Sequence, residues 1–571
     1  MQIKLIDGIG PFFRDYREKS INWSKAPFGN LEKNGDIDKD KFRLVREDFK
    51  RFVDTVSTLG FNSISLDDLA HMVDHDFYPE KLKAKLRSYR SQYSRLFKIA
   101  AAAGLDVYVT TDIMYFNRAI ARNAGDKDRG IIEFLASSIE NIFKTFPEAK
   151  GIITRIGECD GVDVEGDFRS RLIIRKPSQA RLYIDSLLPV FERYDRNFIF
   201  RTWTVGAYKI GDLAWNRNTF DQTFDGIESN NFILSMKYGE TDFFRFLPLN
   251  KLFFRSAHLK IIELQARREY EGFGEYPSFV GWDYESYRDQ LRDAENMAGF
   301  SVWCQTGGWG PFNKLTFLEN SSLWNEANTY VALKVFSDGM SAKEAAEEFY
   351  CWKTKAVKGA DKFVELLDLS DQVIKELLYL DDFAEQKIFF RRLRVPPLLS
   401  VYWDQIFVNH CVRKLLKCFV SDGEGKIRQG YCALKKINRM IALAVETGLD
   451  TRDLHFERDT FRILAMAREY YFRPYSASMA MRLEKMRDNY KRRYQPSYTA
   501  ELDFSSFRMP RSRLKLLLSI VLRRQRGYRM LDRILTINLM SIVYTWLRFR
   551  RRKTGGGFAQ NRAMGIGSIF K

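Results

Sequence analysis

NFILSMKYGETDFFRF (231–246) begins as an apolar run of strand-forming residues, reaches a lysine at Lys237, and places two carboxylates, Glu240 and Asp242, just past it. A structural loop rarely needs that combination, whereas a site that holds an anion and moves a proton does. Working outward, seven similar runs flank this one. They are IKLIDGI (3–9), NSISLDD (62–68), DVYVTTDI (106–113), GIITRIGE (151–158), NFIFRTWTV (197–205), LKIIELQA (259–266) and GFSVWCQT (299–306). Between them lie segments with helical periodicity, such as DKFRLVREDFKRFVDTVSTLG (40–60) and SYRSQYSRLFKIAAAAG (88–104). Eight strands joined by helices predict an α/β chain whose residues 1–315 form a (β/α)8 TIM barrel. A doubly wound open sheet is disfavoured, because no G-x-G-x-x-G follows a strand with a helix behind it. No nucleotide cofactor is expected, and none of another kind is indicated.

From residue 316 strand patterns largely vanish. SAKEAAEEFYCWKTKAV (341–357) and DKFVELLDLSDQVIKELLYLDDFAEQKIFFRRL (361–393) read as helices, so 316–504 is expected to be an α-helical domain. Residues 505–571 form a basic amphipathic tail with sixteen Lys or Arg against one acid, Asp532. That tail carries +15 of the chain's +19, so the body is nearly neutral and need not involve nucleic acid. Within RSRLKLLLSIVLRRQRGYRMLDRILTINLMSIVYTWLRFRRRK (511–553), the longer apolar block, 534–547, is short of the roughly 20 residues that span a bilayer. A helix lying against an anionic membrane surface is the expectation, with packing on the chain's own helices as the alternative. The start, MQIKLIDGIGPFF, lacks the pattern of a secretory signal, and the six cysteines contain no C-x-x-C pair. A cytoplasmic location, peripheral on the inner face of the membrane, is therefore expected. The oligomeric state stays open.

Catalytic groups of this architecture come from the C-terminal strand ends and the loops behind them. Those ends offer Arg155, Glu158 and Asp160; Arg201 and Trp203; Lys237, Glu240 and Asp242; the segment ELQARREYEGFGEY; and Trp309. Carboxylates on different strands, cations among them and tryptophans at the rim are the components of a site for an anionic sugar. His71 and His75 have a spacing a metal pair could use, but no third ligand is evident, and a solvated helix start is the expected setting. No metal site is predicted.

MKYGETDFFRFLPLNKLFF followed by IIELQARREYEGFGEY resembles the paired strand-six and strand-seven motifs of the α-glucuronidases, glycoside hydrolase family 67. RIGE and FRTW upstream, and SSLWNEANTYVALKVFSDGMSAKEAAEEF downstream, extend the resemblance over about residues 145–350. It implies Glu158 as general acid, with Asp242 and Glu269 positioning and deprotonating the attacking water. Arg201 and Lys237 correspond to cations that hold the uronate carboxylate. Trp203 and Trp309 are candidate sugar platforms, and Glu263 a supporting residue. The family's lysine four positions before the acid is replaced by Thr154, with Arg155 beside it as a candidate substrate contact. RFLP stands where the family has R-E-P. The implied activity is an inverting glycosidase acting on a uronic-acid-containing or other anionic oligosaccharide or polysaccharide; the basic tail and the missing signal pattern, not the resemblance, are the grounds for expecting a role in surface-polysaccharide production or turnover. A catalytically inactive carbohydrate-binding or scaffold protein is the alternative.

Overall fold

The computed structural model describes residues 1–16, 25–157, 167–204, 208–305, 314–390, 392–398, 401–402, 405–494, 498–504, 510–523 and 542. Eight parallel strands close into a barrel: β1 (Ile3–Asp7), β2 (Ser63–Asp67), β3 (Asp106–Asp112), β4 (Ala149–Arg155), β5 (Asn197–Arg201), β6 (Phe232–Lys237), β7 (Leu259–Gln265) and β8 (Met297–Trp303). Each pairs with its neighbours in sequence, and β1 closes the ring on β8 through Ile3–Gly299 and Leu5–Ser301. All eight runs read from the sequence are strands, and the fold is a (β/α)8 TIM barrel.

Helices α1 (Lys39–Leu59), α2 (Glu80–Ala102), α3 (Asp128–Thr145), α4 (Pro177–Tyr194), α5 (Arg217–Phe224) and α6 (Gly281–Gln290) lie between strands. Their ends follow from local chemistry. Asp38 caps α1 by accepting the N–H groups of Asp40 and Lys41, and α1 stops at Gly60, whose φ of 115° a side chain would resist.

Alternation along the strands sorts side chains into two sets. Phe198, Phe200, Phe232, Leu234, Ile262 and Phe300 belong to the large core shared with the helices. Ile3, Leu5, Tyr108, Ile153, Ile199, Ile233 and Ile261 form a separate apolar cluster inside the barrel. Two residues further along the same inward rows stand Asp7, Arg155, Arg201 and Glu263, and four beyond Tyr108 stands Asp112, all buried. The barrel thus has an apolar floor and a charged upper layer at the C-terminal strand ends. Because charges so buried must be paired, this layer determines what the site can do.

Beyond the barrel come α7 (Leu323–Asp338), α8 (Ala342–Thr354), α9 (Ala360–Val373), α10 (His410–Phe419), α11 (Gly423–Glu446), α12 (Arg452–Phe472), α13 (Ala477–Arg493) and α14 (Arg511–Val521). A reciprocal capping box between Ser341 and Glu344 starts α8. Two expectations need correction. The helix expected through residue 393 gives way earlier, and Phe389–Phe390 pair antiparallel with Leu393–Arg394, as aromatic residues in succession favour. Residues 316–504 also contain a strand, β9 (Gln405–Asn409), which lies parallel to β10 (Thr499–Asp503).

Candidate active site

The expected site residues on β4 to β7 converge at the carboxyl end of the barrel. Asp242 and Glu269 both lie there, buried, on the loops after β6 and β7. Three donors meet on Asp242. Lys237 Nζ lies 2.6 Å from Oδ1, the Phe243 N–H donates to Oδ1 at 2.9 Å, and the Tyr270 hydroxyl donates to Oδ2 at 3.1 Å. Lys237 is itself held between aromatic faces, 4.3 Å from the Trp203 ring centroid and 4.4 Å from that of Phe243.

Glu269 has a different environment. Its backbone N–H donates to Gln265 Oε1 at 3.2 Å. Burial, then the charge of Asp242, push its carboxyl up from 4.5 to about 7, against the opposing effects of Lys237 and of hydrogen bonds from Gln265 and Tyr270. Two neighbouring carboxyl groups with different surroundings are the arrangement from which a base active near neutrality is made.

Arg201 donates to Glu263 through Nε (3.0 Å) and Nη2 (2.8 Å), the fork geometry of a strong guanidinium–carboxylate pair. Glu263 also accepts from the Ser235 hydroxyl at 2.6 Å and from Trp303 Nε1 at 3.2 Å. The Arg201 guanidinium lies 4.5 Å from the Trp303 ring centroid. Burial opposes ionisation of Glu263, but Arg201 outweighs it and holds the carboxyl below its usual range. Arg155 is likewise committed, with Nε 2.8 Å from Asp112 and Nη1 3.3 Å from Asp67. Lys25 lies 2.7 Å from the same Asp112, and Asp67 accepts from the Ala26 N–H and from the Thr110 hydroxyl. Both arginines expected to hold substrate are therefore engaged by protein carboxylates. The reason is the barrel's own charge balance, with Asp112 on the strand next to that of Arg155, and Asp67 and Glu263 each two strands from the arginine they meet.

Other residues also differ from expectation. Glu240, one of the carboxylates offered by the strand ends, is buried and pairs with Arg394 at 2.9 Å, which ties the β6 loop to the chain beyond the barrel. His71 is no solvated helix start. It is buried, stacks on Phe28 and bonds Asp68 through Nδ1 at 2.6 Å, while His75 packs on Phe77 and Phe134. Trp203 is half-buried beside Lys237. Glu158, Asp160 and Trp309 lie outside the described residues. Among the described residues no group of His, Cys, Asp and Glu has the arrangement of a metal centre.

Sequence reasoning passed over Tyr270, Gln265, Trp303 and Asp7. Trp303, Gln265 and Asp7 were accessible through the inward alternation of their strands, and Tyr270 by adjacency to Glu269. Asp7 closes the barrel mouth by accepting the N–H groups of Cys304 (2.6 Å) and Gln305 (3.1 Å), and burial pushes its carboxyl up to about 6.

No protein-family model matches the sequence, and no curated protein matches it. Solved structures do match. A GH138 enzyme targeting pectin rhamnogalacturonan II shares 11% identity at a TM-score of 0.52, over 87% of this chain and 63% of its own. The chain thus spans less than two thirds of that enzyme's length. CpGH84B (TM-score 0.41, 10% identity, 86% of this chain and 74% of its own) and a Thermobaculum terrenum O-GlcNAc hydrolase mutant (0.38, 10%, 78% and 85%) are more distant. At such identities the likeness concerns the fold, and only the first is close enough to carry weight: this chain shares its barrel architecture with that glycoside hydrolase.

Proposed function

We propose that the protein is an inverting glycoside hydrolase acting on a glycan with a terminal uronic acid or another anionic sugar, α-glucuronidase-like in its chemistry. The observation that supports this reading best is the placement of Asp242 and Glu269 on consecutive strand ends around Lys237. Glu269, raised into the neutral range, takes a proton from water, and Asp242, fixed by its donors, orients that water. The water oxygen bonds to the anomeric carbon as the glycosidic bond breaks, and Glu158 gives its proton to the departing oxygen. Acid and base in such a single displacement stand roughly 6.5–9.5 Å apart. Lys237 is the cation assigned to the sugar carboxylate, since its ammonium has more donors than the one Asp242 takes.

Proton NMR of wild type, Glu158→Ala and Asp242→Ala with oligosaccharides ending in a uronic acid tests the reading. Release of free uronate of inverted configuration by the wild type alone is expected. Equal silence of all three with sugar binding retained would replace it with the non-catalytic carbohydrate-binding reading.

Docking on an anionic membrane surface belongs to the same proposal. Leu516, Leu517 and Ile520 on α14 are 62%, 46% and 46% exposed, beside exposed Arg513 and Lys515. No helix among the described residues is long and apolar enough to cross a membrane. Co-sedimentation with phosphatidylglycerol vesicles, lost on Leu516→Glu and Leu517→Glu together, is expected; equal recovery with neutral vesicles would exclude the charge component.

A further inference from the structure

The residues flanking the two candidate catalytic carboxylates form a fully buried ionic cluster that the proposed chemistry does not use. Arg245 follows Asp242 by three positions, Arg268 precedes Glu269, and Glu271 lies two beyond it. Glu271 accepts from Arg245 Nε (3.2 Å to Oε2, 3.3 Å to Oε1) and from Arg268 (2.6 and 2.9 Å). Ser278 and Tyr379 add hydroxyl donors at 2.6 and 2.7 Å. Burial opposes ionisation of Glu271, and Arg245 and Arg268 overcome it, holding the carboxyl well below its usual range.

Each arginine also crosses to a second loop. Arg268 Nη2 donates to the Phe243 carbonyl at 2.8 Å and Nη1 to the Tyr238 hydroxyl at 3.2 Å, which brings the β7 loop against the β6 loop. Its backbone is held at a φ of 39°, which a non-glycine residue adopts only when its surroundings impose it. Arg245 reaches the Phe279 carbonyl at 2.6 Å, Asp283 at 2.7 Å and, from beyond the barrel, Asp371 of α9 at 2.8 Å. The Arg245 N–H donates to the Tyr379 oxygen at 3.2 Å. The two loops bearing Asp242 and Glu269 therefore share one fastening, and the chain beyond the barrel supplies part of it.

We propose that Glu271 is a positioning residue: by accepting from Arg245 and Arg268 together it fixes the β6 loop to the β7 loop and so sets the relative placement of Asp242 and Glu269. The role of that placement in turnover rests on the glycosidase reading; the placement itself does not. Asp242, Lys237, Tyr270, Gln265 and Arg267 are the charged and polar groups acting on Glu269, so a shift of one loop alters its titration.

The test compares wild type with Glu271→Gln, which keeps the shape and removes the charge both arginines require. The first readout needs no substrate. Isotope-edited infrared titration with labelled glutamate, with Glu269→Gln as the blank, follows the Glu269 carboxyl, which burial and Asp242 push up to about 7. A fall of its midpoint in Glu271→Gln is expected, because separation weakens the effect of Asp242. With an active substrate, kcat is expected to fall by about 100-fold, as a misplacement near 1 Å can cause. KM should change little, and the lower limb of the pH–rate profile should move with the infrared midpoint. An unchanged midpoint in a folded variant overturns the proposal. Inactivity of the wild type on uronides, with the midpoint still displaced in the variant, removes the glycosidase reading and leaves the positioning role standing. Should Glu271→Gln fail to fold, Ser278→Ala and Tyr379→Phe each remove one hydroxyl donor while keeping every charge. Both are expected to lower the midpoint by less, and no displacement in either overturns the proposal.

Discussion

Replacing Glu263 by Leu tests whether Arg201 belongs to the substrate or to the barrel. The side chains of Arg201 and Glu263 are 4% and 0% exposed, and the pair is made through two parallel hydrogen bonds. Removing one member of such a pair leaves a charge in a low-dielectric interior and costs about 3–5 kcal/mol. Ser235 and Trp303 also lose their acceptor, at about 1 kcal/mol each, so Glu263→Leu is expected to cost roughly 5–7 kcal/mol. Arg201→Leu leaves Glu263 with the Ser235 hydroxyl, the Trp303 N–H and the charge of Lys237, and is expected to cost about 3–5 kcal/mol. The double variant, with two apolar side chains in the space, should recover most of the loss, since apolar replacement of a whole buried pair is often neutral. Guanidinium unfolding of the four proteins gives the coupling energy, expected to exceed about 3 kcal/mol. Single costs below about 1 kcal/mol, or two costs that simply add, would refute the reasoning and return Arg201 to the role of a substrate contact. The pH dependence supplies a second check. The Glu263 carboxyl is held below its ordinary value, so its contribution is complete above that value and is lost as pH falls through the folded one.

Three further outcomes follow from the buried carboxyls. Asp242→Asn should lower the midpoint of Glu269 from about 7, as read by the same infrared titration; an unmoved midpoint would assign the whole effect to burial. Glu269 titrates higher in the folded chain than its ordinary 4.5, so its stabilising contribution is complete below pH 4.5 and lost as pH rises through about 7, a change of about 3 kcal/mol. Glu269→Gln should flatten that part of the stability–pH curve, and an unchanged slope would contradict it. Glu457 on α12 is fully buried, neither carboxyl oxygen has a hydrogen-bond partner among the described residues, and burial, then Asp453, push it well above its usual range. Glu457→Met should therefore stabilise the protein at pH 8 by about 1–3 kcal/mol in a chemical-denaturation assay, and a loss of stability would refute this.

Reading the strand ends was productive because a barrel exposes one end of every strand to the same cavity. Lys237 and Asp242 could be found that way, since a short loop keeps them close to strand positions fixed by alternation, whereas Glu269 is singled out by the family resemblance. Glu240 could not. Its partner Arg394 is 154 residues away, and nothing in GETD separates a solvated acid from a buried one. His71 shows the same blindness: nothing in its own segment points to Phe28, far off in the chain, as the ring it stacks on.

The sequence by itself determined the barrel, because period-two runs between period-3.6 segments leave the backbone few other ways to satisfy its hydrogen bonds and bury its apolar faces. It also placed Arg155, Arg201, Lys237 and Asp242 at the carboxyl ends of the strands. Only the tertiary structure decided which of those charges are already neutralised. Arg155 and Arg201 are paired with Asp67, Asp112 and Glu263 on other barrel strands, whereas Lys237 pairs with Asp242, five residues on in its own loop. The balance between desolvation and pairing depends on contacts far apart in the chain, which no local stretch of sequence records.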